Sequence, residues 1–313
     1  MPSKSLLPSL ARERGLTAKV SLGEPLGQHT SYRIGGPADL FIAVEDTKEL
    51  CSWVALAREL EQPFLVMGNG TNLLIADRGY RGLVIKNQCL DYTIDPSSST
   101  ARAEAGVILA QLARQSAKAG AAGLEWAIGI PGTVGGAIVN NAGAHDGETA
   151  AVIRRVHILD RQGHRCALAP GDLQLGYRTS RFRAQTGRQE IILSADLQFV
   201  PESTTLLKER MDEYTTLRRA RQPTEPSAGS VFKNPPGSKA GQLIDQAGLR
   251  GSRVGDAQIS DKHANYIVNT GRARAADVLQ LIDLARDRVR QLFGIDLELE
   301  IQLVGDWGES QAS

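Results

Sequence analysis

Helical and strand periods alternate along this chain. In TKELCSWVALARELEQP (47–63), Leu50, Trp53, Ala57 and Leu60 recur at helical spacing, which predicts an amphipathic helix. Thr47 is its expected cap, and Pro63 lies beyond its end. Three short β-rich runs follow, FLVMG, NLLIA and GLVIK, separated by glycine and asparagine, so this region reads as a small α/β unit. From about residue 88 the texture changes: GVILAQLARQSAKAG reads as a second helix, and VHILD and IILSADLQFV as strands. The last alternates through Ile191, Leu193, Ala195, Leu197 and Phe199. TLLKERMDEYTTLRRAR is helical, and a proline-rich break at 223–226 opens a third region. There AADVLQLIDLARDRVRQLFG gathers Val278, Ile282, Ala285, Val289 and Leu292 on one face and stops at Gly294. DLELEIQLVG reads as a closing strand, with Leu297, Leu299, Ile301 and Leu303 on one face and Glu298, Glu300 and Gln302 on the other.

Composition narrows the class. A chain of 313 residues, 42% hydrophobic and 23% charged, has room for two or three domains with real cores. Lys plus Arg is 36 against 35 for Asp plus Glu, a net charge of +1, so the footprint of a nucleic-acid binder is absent. No apolar run reaches the length of a membrane span, and the opening MPSKSLLPSLARERG, broken by Pro8, does not fit a signal peptide. Cys51, Cys89 and Cys166 lack metal-like spacing and are odd in number. The expectation is a cytoplasmic protein with reduced thiols, without metal, nucleic-acid or membrane partners.

Two glycine loops carry the first hint of chemistry. EWAIGIPGTVGGAIVNNAGAHDGE (125–148) crowds six glycines around Asn140 and Asn141, a density that suits a backbone turning tightly or approaching a ligand closely. It lacks the lysine of a P-loop. GNGTNL (68–73) has Leu73 where a dinucleotide fingerprint needs its third glycine, so a Rossmann domain is not supported. The turn Gly68-Asn69-Gly70-Thr71-Asn72 between two strands offers amides suited to a pyrophosphate, and a plain hairpin is the competing reading. A second such loop in one chain favours a cofactor. GSVFKNP (229–235) leaves Ser230 open as nucleophile, proton donor, phosphate ligand or turn hydroxyl, although AGSVF is not the GxSxG elbow of a hydrolase.

Taken in order, HTSYRIGGPADLF (29–41), MGNGTNLLI (67–75), GLEWAIGIPGTVGGAIVNNAGA (123–144), GYRTSRF (176–182), GSVFKNP (229–235) and LELEIQLVG (297–305) resemble the UDP-N-acetylenolpyruvoylglucosamine reductases (UDP-N-acetylmuramate dehydrogenases, MurB). The resemblance covers about residues 20 to 305. It implies an α+β protein: a two-subdomain FAD-binding fold of the vanillyl-alcohol-oxidase (PCMH) type, followed by a C-terminal α+β substrate-binding domain. The expected segments are an N-terminal extension (1–20), FAD subdomains at 21–87 and 88–204, and a substrate domain at 205–313. It also implies NADPH as reductant, UDP-N-acetylglucosamine enolpyruvate as substrate, UDP-N-acetylmuramate as product, and a monomer. The associated processes are peptidoglycan synthesis, cell wall biogenesis, cell shape, cell cycle and cell division. Arg178 and Ser230 stand 52 positions apart, which resembles the shorter type of the family, without a tyrosine loop over the substrate.

By that resemblance Gly68, Asn69, Gly70, Thr71 and Asn72 would hold the FAD pyrophosphate. Ile130, Pro131, Gly132, Thr133, Gly135, Gly136 and Ala137 would run along the flavin, with Ala142 and Gly143 nearby. Thr71 stands where serine is more usual, Ala127-Ile128 replace smaller residues, and His145 replaces a tyrosine. Once hydride reaches the enol ether, negative charge develops on the adjacent carbon and its carboxylate. Arg178 would grip that carboxylate with two charge-assisted bonds, and Ser230 would protonate the carbon as general acid. Glu300 matches the family's essential glutamate, and like charge beside a substrate carboxylate favours its protonated form. A surface arginine and a solvent-facing glutamate are the competing readings of Arg178 and Glu300. Arg218 and Arg221 resemble the family's cationic pair near the UDP diphosphate, and Lys233, Asn234 and the stretch KHANYIVN (262–269) are further candidate substrate contacts. Another FAD oxidase or dehydrogenase of the same fold is the alternative function, with His145 as the one residue that could carry a covalent flavin link. A flavin-free nucleotide-sugar binder is a third, and the two glycine loops argue against it.

Overall fold

The computed structural model describes residues 6–183 and 189–308. Among them the α-helices are α1 (Leu6–Glu13), α2 (Thr47–Glu59), α3 (Leu109–Lys118), α4 (Val134–Asn140), α5 (Thr204–Arg221), α6 (Ala240–Gln246) and α7 (Ala275–Phe293). The chain packs as two units. One takes the residues up to Val20, Phe41–Gly68 and Leu83–Arg218; the other takes Ser21–Leu40, Asn69–Gly82 and Arg219 onward. Both are discontinuous in sequence, so they do not follow contiguous boundaries at 87/88 and 204/205.

In the first unit, Ile191–Gln198 is the central strand of a five-stranded antiparallel sheet. Arg165–Leu168 and Ile153–Leu159 lie on one side of it, Thr100–Glu104 and Tyr92–Asp95 on the other. Ala195 pairs with Val156 and with Ala103, and these small or branched side chains form a buried face with Ala101, Ile158 and Leu197. Leu109, Leu112 and Ala113 of α3, with Val134, Ala137 and Ile138 of α4, complete that core. The expected alternation holds only beyond Ala195: Ile191, Ile192, Leu193 and Ser194 are all buried. The reason is α2, which reaches this sheet through Thr47 Oγ1 to Glu104 Oε1 at 2.6 Å and Arg58 Nη2 to the Gln189 carbonyl at 2.5 Å. Thr47 is therefore not the cap of α2. Asp46 is, its Oδ1 accepting from Lys48 N and Glu49 N at 2.8 Å each.

The second unit has its own core. Val278, Ile282, Ala285 and Val289 of α7 pack against Leu243 and Ile244 of α6 and against a three-stranded antiparallel sheet, Arg253–Val254, Ala257–Ile259 and Ile267–Asn269. Gly294 ends α7 in the left-handed region at φ 68°, its N–H reaching Arg290 O at 2.9 Å. Leu292, expected on the buried face, is exposed, because it falls in the last turn beyond the core. The closing strand is also shorter than its sequence suggested. Only Gln302–Val304 is strand, paired in parallel with Leu73–Ile75. The amides of Glu300 and Ile301 both approach the Val231 carbonyl, at 2.8 and 3.4 Å. The single apolar face therefore does not continue through the closing segment: Leu297 and Ile301 are buried, while Leu303, inside the short parallel strand, is exposed.

Asp77 ties the start of α7 to the turn after Leu73–Ile75, Oδ1 accepting from Ala275 N at 2.8 Å and Oδ2 from Ala276 N at 3.0 Å. Asp77→Ala orphans both donors and is expected to lower stability by about 1–2 kcal/mol in urea denaturation, while Asp77→Asn, which keeps one acceptor and turns an NH2 towards the other N–H, recovers only part of it. An unchanged midpoint for the alanine variant would refute the cap.

Candidate active site

Close approach of backbone shapes the glycine-rich segment of the first unit. Leu109 N donates to Gly132 O (3.0 Å), Val134 N to Val107 O (2.9 Å) and Gly135 N to Ala105 O (2.8 Å), so the segment lies along residues 105–109. A Cβ on Gly135 would sit 3.0 Å from that of Ala105, and one on Gly68 only 2.5 Å from Thr133 Oγ1. Thr133 opens α4 by accepting from Gly136 N at 3.3 Å. Thr133, Gly135 and Ala137 are buried, Ile130 and Gly132 half-buried, and Pro131 and Gly136 exposed.

The loop 68–72 is not a hairpin. Phe64–Met67 before it pairs with Tyr80–Asn87, and Leu73–Ile75 after it pairs with Gln302–Val304. The turn thus joins strands of different sheets, a shape that a two-residue hairpin signal cannot anticipate. Gly70 is buried at φ 59°, its carbonyl accepting from Ser31 N at 3.4 Å; Asn69, Thr71 and Asn72 are half-buried.

Asn141 closes α4 in the left-handed region, donating Nδ2 to Glu148 Oε2 (3.1 Å) and Gly176 O (3.0 Å) and accepting from Ala150 N (3.0 Å). Half-buried Ala142 and Gly143 follow. Arg178 gathers here too: its Nη2 donates to Gly143 O at 2.5 Å and its Nη1 to Asn141 O at 3.4 Å, with the guanidinium 5.6 Å from the centre of the Tyr177 ring. Its φ of 52° is unusual for a side chain branching off a full backbone, a local strain of about 1–3 kcal/mol that the surrounding contacts hold in place. The His145 ring stacks on Tyr214 at 4.2 Å and 10°.

Ser230 and Glu300 belong to the second unit, and the backbone brings them together. Val231 N donates to Asn265 O and Val231 O accepts from Glu300 N, both at 2.8 Å. Asn265 grips Phe232 from both ends, Oδ1 accepting from its N at 3.0 Å and Nδ2 donating to its O at 2.8 Å. Asn72 holds the far side of Glu300, Nδ2 to the carbonyl at 3.0 Å, and Asn72 O accepts from Gln302 N at 2.9 Å. Ser230 and Glu300 are half-buried, whereas the Glu298 side chain is 73% exposed, which separates the two glutamates. Glu298 instead pairs with Lys233 Nζ at 2.5 Å, and Asn234 Oδ1 accepts from Ala240 N at 3.0 Å at the start of α6. Tyr266 is core, edge-on to His263, whose imidazole burial pushes below its ordinary range. Arg218, in the first unit, is half-buried against Gly129; Arg221, in the second, is exposed. Asn265, Asn141 and Glu125 organise these segments. The sequence shows Asn141 only as part of the glycine-rich segment and Asn265 only within the 262–269 stretch, and their organising roles were not foreseen, because buried asparagines and glutamates look like surface residues in a sequence.

A model of the FAD binding domain matches residues 38–168, and one of the UDP-N-acetylenolpyruvoylglucosamine reductase C-terminal domain matches residues 222–304. UDP-N-acetylenolpyruvoylglucosamine reductase 2 of Symbiobacterium thermophilum is 43% identical over 310 residues, 99% of this chain and 98% of its own. The chain belongs to the UDP-N-acetylenolpyruvoylglucosamine reductase family. The reductase of Rubrobacter xylanophilus is 44% identical over 90% of this chain and 94% of its own. The crystal structure of the reductase from Thermus caldophilus matches with a TM-score of 0.76 and 38% identity, covering 92% of this chain and 98% of that one. The residues present fit the reductases' FAD: Gly68 admits Thr133 against its backbone, which sets the start of the first glycine loop beside the glycine-rich segment, both within the matched FAD binding domain.

Gly68→Ala lies outside the left-handed region and meets the Thr133 side chain first, so its cost is local overpacking of about 1–3 kcal/mol. It is expected to weaken FAD binding about ten-fold or more in a fluorescence titration of the apoprotein. Unchanged affinity would show that this close approach does not shape the cofactor site.

Proposed function

We propose that Arg178, Ser230 and Glu300 divide the work of the reduction this family performs. The chain is an FAD-dependent reductase acting on the enolpyruvyl ether of UDP-N-acetylglucosamine enolpyruvate, in peptidoglycan precursor synthesis. The observation that supports the residue assignment is the 2.8 Å bond from Glu300 N to Val231 O, which brings the chain at Glu300 to the residue next to Ser230, 70 positions earlier in the sequence. FAD, when bound, carries hydride from NADPH to the enolpyruvyl group.

The protein's own contribution is charge and a proton. The guanidinium of Arg178, oriented by Gly143 O and Asn141 O, binds the substrate carboxylate, and its bonds strengthen as charge accumulates there. Ser230 Oγ delivers its proton to the carbon beside that carboxylate, whose carbanion character makes it basic enough to take a proton from a hydroxyl. Glu300 stands next to Ser230 through Val231 and holds or supplies a proton in the same place. Arg218, Arg221, Lys233 and Asn234 contact the nucleotide-sugar. Lys233 is the best supported as a held cation, since Glu298 and the Glu298 carbonyl fix both its ends. The reductase works as a cytoplasmic monomer of the shorter family type. No described helix is long and apolar enough to cross a membrane.

Ser230→Ala is expected to let NADPH bleach the flavin at the normal rate anaerobically, and then to fail to regain oxidised flavin when substrate is added. Turnover falls by about 10²–10⁴. Wild-type turnover in that variant would remove Ser230 from the mechanism.

A further inference from the structure

Helix α5 is 18 residues long and buries only Leu207 and Met211, both in its first half. These pack on Ala117, Ala122 and Ile128. Towards Arg218 the helix buries no further residue fully, and its apolar contact is the half-buried Tyr214 at the edge of the first unit's core. Instead, three side chains at four-residue intervals, which share one helix face, each meet the glycine-rich segment. Arg210 Nη1 donates to Glu125 Oε1 at 2.9 Å. Tyr214 stacks on His145 with ring centres 4.2 Å apart. The stem of Arg218 lies over Gly129, where a Cβ would collide with its Cδ and Nε.

We propose that Glu125, Gly129 and His145 are positioning residues for Arg218: through Arg210 and Tyr214 they hold α5 at the register in which the Arg218 stem covers Gly129. Glu125 is suited to this. Its side chain is only 6% exposed, and its other oxygen accepts from Gly123 N at 2.8 Å, so the carboxylate is anchored to the segment before it receives Arg210. A buried carboxylate whose one cation comes from a neighbouring helix ties that helix down, because separating the pair leaves charge uncompensated. Gly129 supplies the seat. Its φ lies outside the left-handed region, so an alanine there is tolerated by the backbone, and the arginine side chain gives way.

This rests on the reading of Arg218 as a substrate diphosphate contact, and the experiment separates the two. Gly129→Ala, Glu125→Gln and Tyr214→Leu are each made alone and in an Arg218→Ala background of the full chain. KM for UDP-N-acetylglucosamine enolpyruvate, kcat, and the rate of flavin bleaching by NADPH without substrate are measured. Each single variant is expected to raise KM about ten-fold, the scale of one charge-assisted contact, with bleaching unchanged. In the Arg218→Ala background none raises KM further, since the residues act through Arg218. Tyr214→Phe, which keeps the stack, restores KM. Multiplicative effects in that background, unchanged KM in Gly129→Ala, or bleaching slowed in step with KM would each overturn the inference. If Arg218→Ala alone leaves KM unchanged, the diphosphate reading falls and the inference falls with it. Glu125→Gln carries the greatest risk to folding, and Gly129→Ala tests the same coupling without disturbing a buried charge.

Discussion

The carbonyl of Val231 takes the amide of Glu300 at 2.8 Å, and the pairing of the 229–235 segment with the closing segment depends on that bond. Val231 N is held by Asn265 O, and the Asn265 side chain, 4% exposed, satisfies both polar groups of Phe232. Removing that amide would leave buried donors and acceptors unpaired at about 1–3 kcal/mol each. The serine segment is thus pinned from two sides, and the glutamate segment is pinned again by Asn72. With the backbone held in this way, the Ser230 hydroxyl has only one side-chain torsion left to set its position.

The first unit solves a different problem. Its glycine-rich segment lies close against other parts of the chain, at Gly135 along Ala105 and through the Thr133 side chain against Gly68, where even a methyl group would collide or crowd. The same segment carries left-handed residues at Asn141 and His145, with Arg178 likewise left-handed in the neighbouring turn. Each is held by specific contacts: the Asn141 side chain bridges three partners, and Arg178 reaches the carbonyls at 141 and 143. The exposed His145 is held by stacking. Its ring lies flat on Tyr214, a contact that an imidazole makes as readily as a phenol.

Much of this was legible from local pattern. Helices α2, α3, α5 and α7, the paired strands at 153–159 and 191–198, and the left-handed stop at Gly294 follow from period, composition and a glycine's freedom. The ordered motifs were enough to recognise the reductase family. Where local reading slipped, a partner distant in sequence was responsible. Asp46 took the cap from Thr47 because Glu104 engages the threonine hydroxyl. Ile191–Ser194 lost its alternation because α2 reaches the sheet at that end.

The amino-acid sequence by itself determined the family, the order of the elements, and the residue types available for chemistry, since these depend on side-chain identity and spacing along one chain. Tertiary structure alone decided that 68–72 is no hairpin, that only Gln302–Val304 of the closing segment is strand, and that the chain at Glu300 is hydrogen-bonded to Val231, with Glu300 half-buried and Glu298 exposed. The reason is common to all three. Pairing partners such as Leu73 with Gln302, or Val231 with Glu300, are chosen by burial and hydrogen-bond satisfaction across long sequence separations, and no local period records that choice.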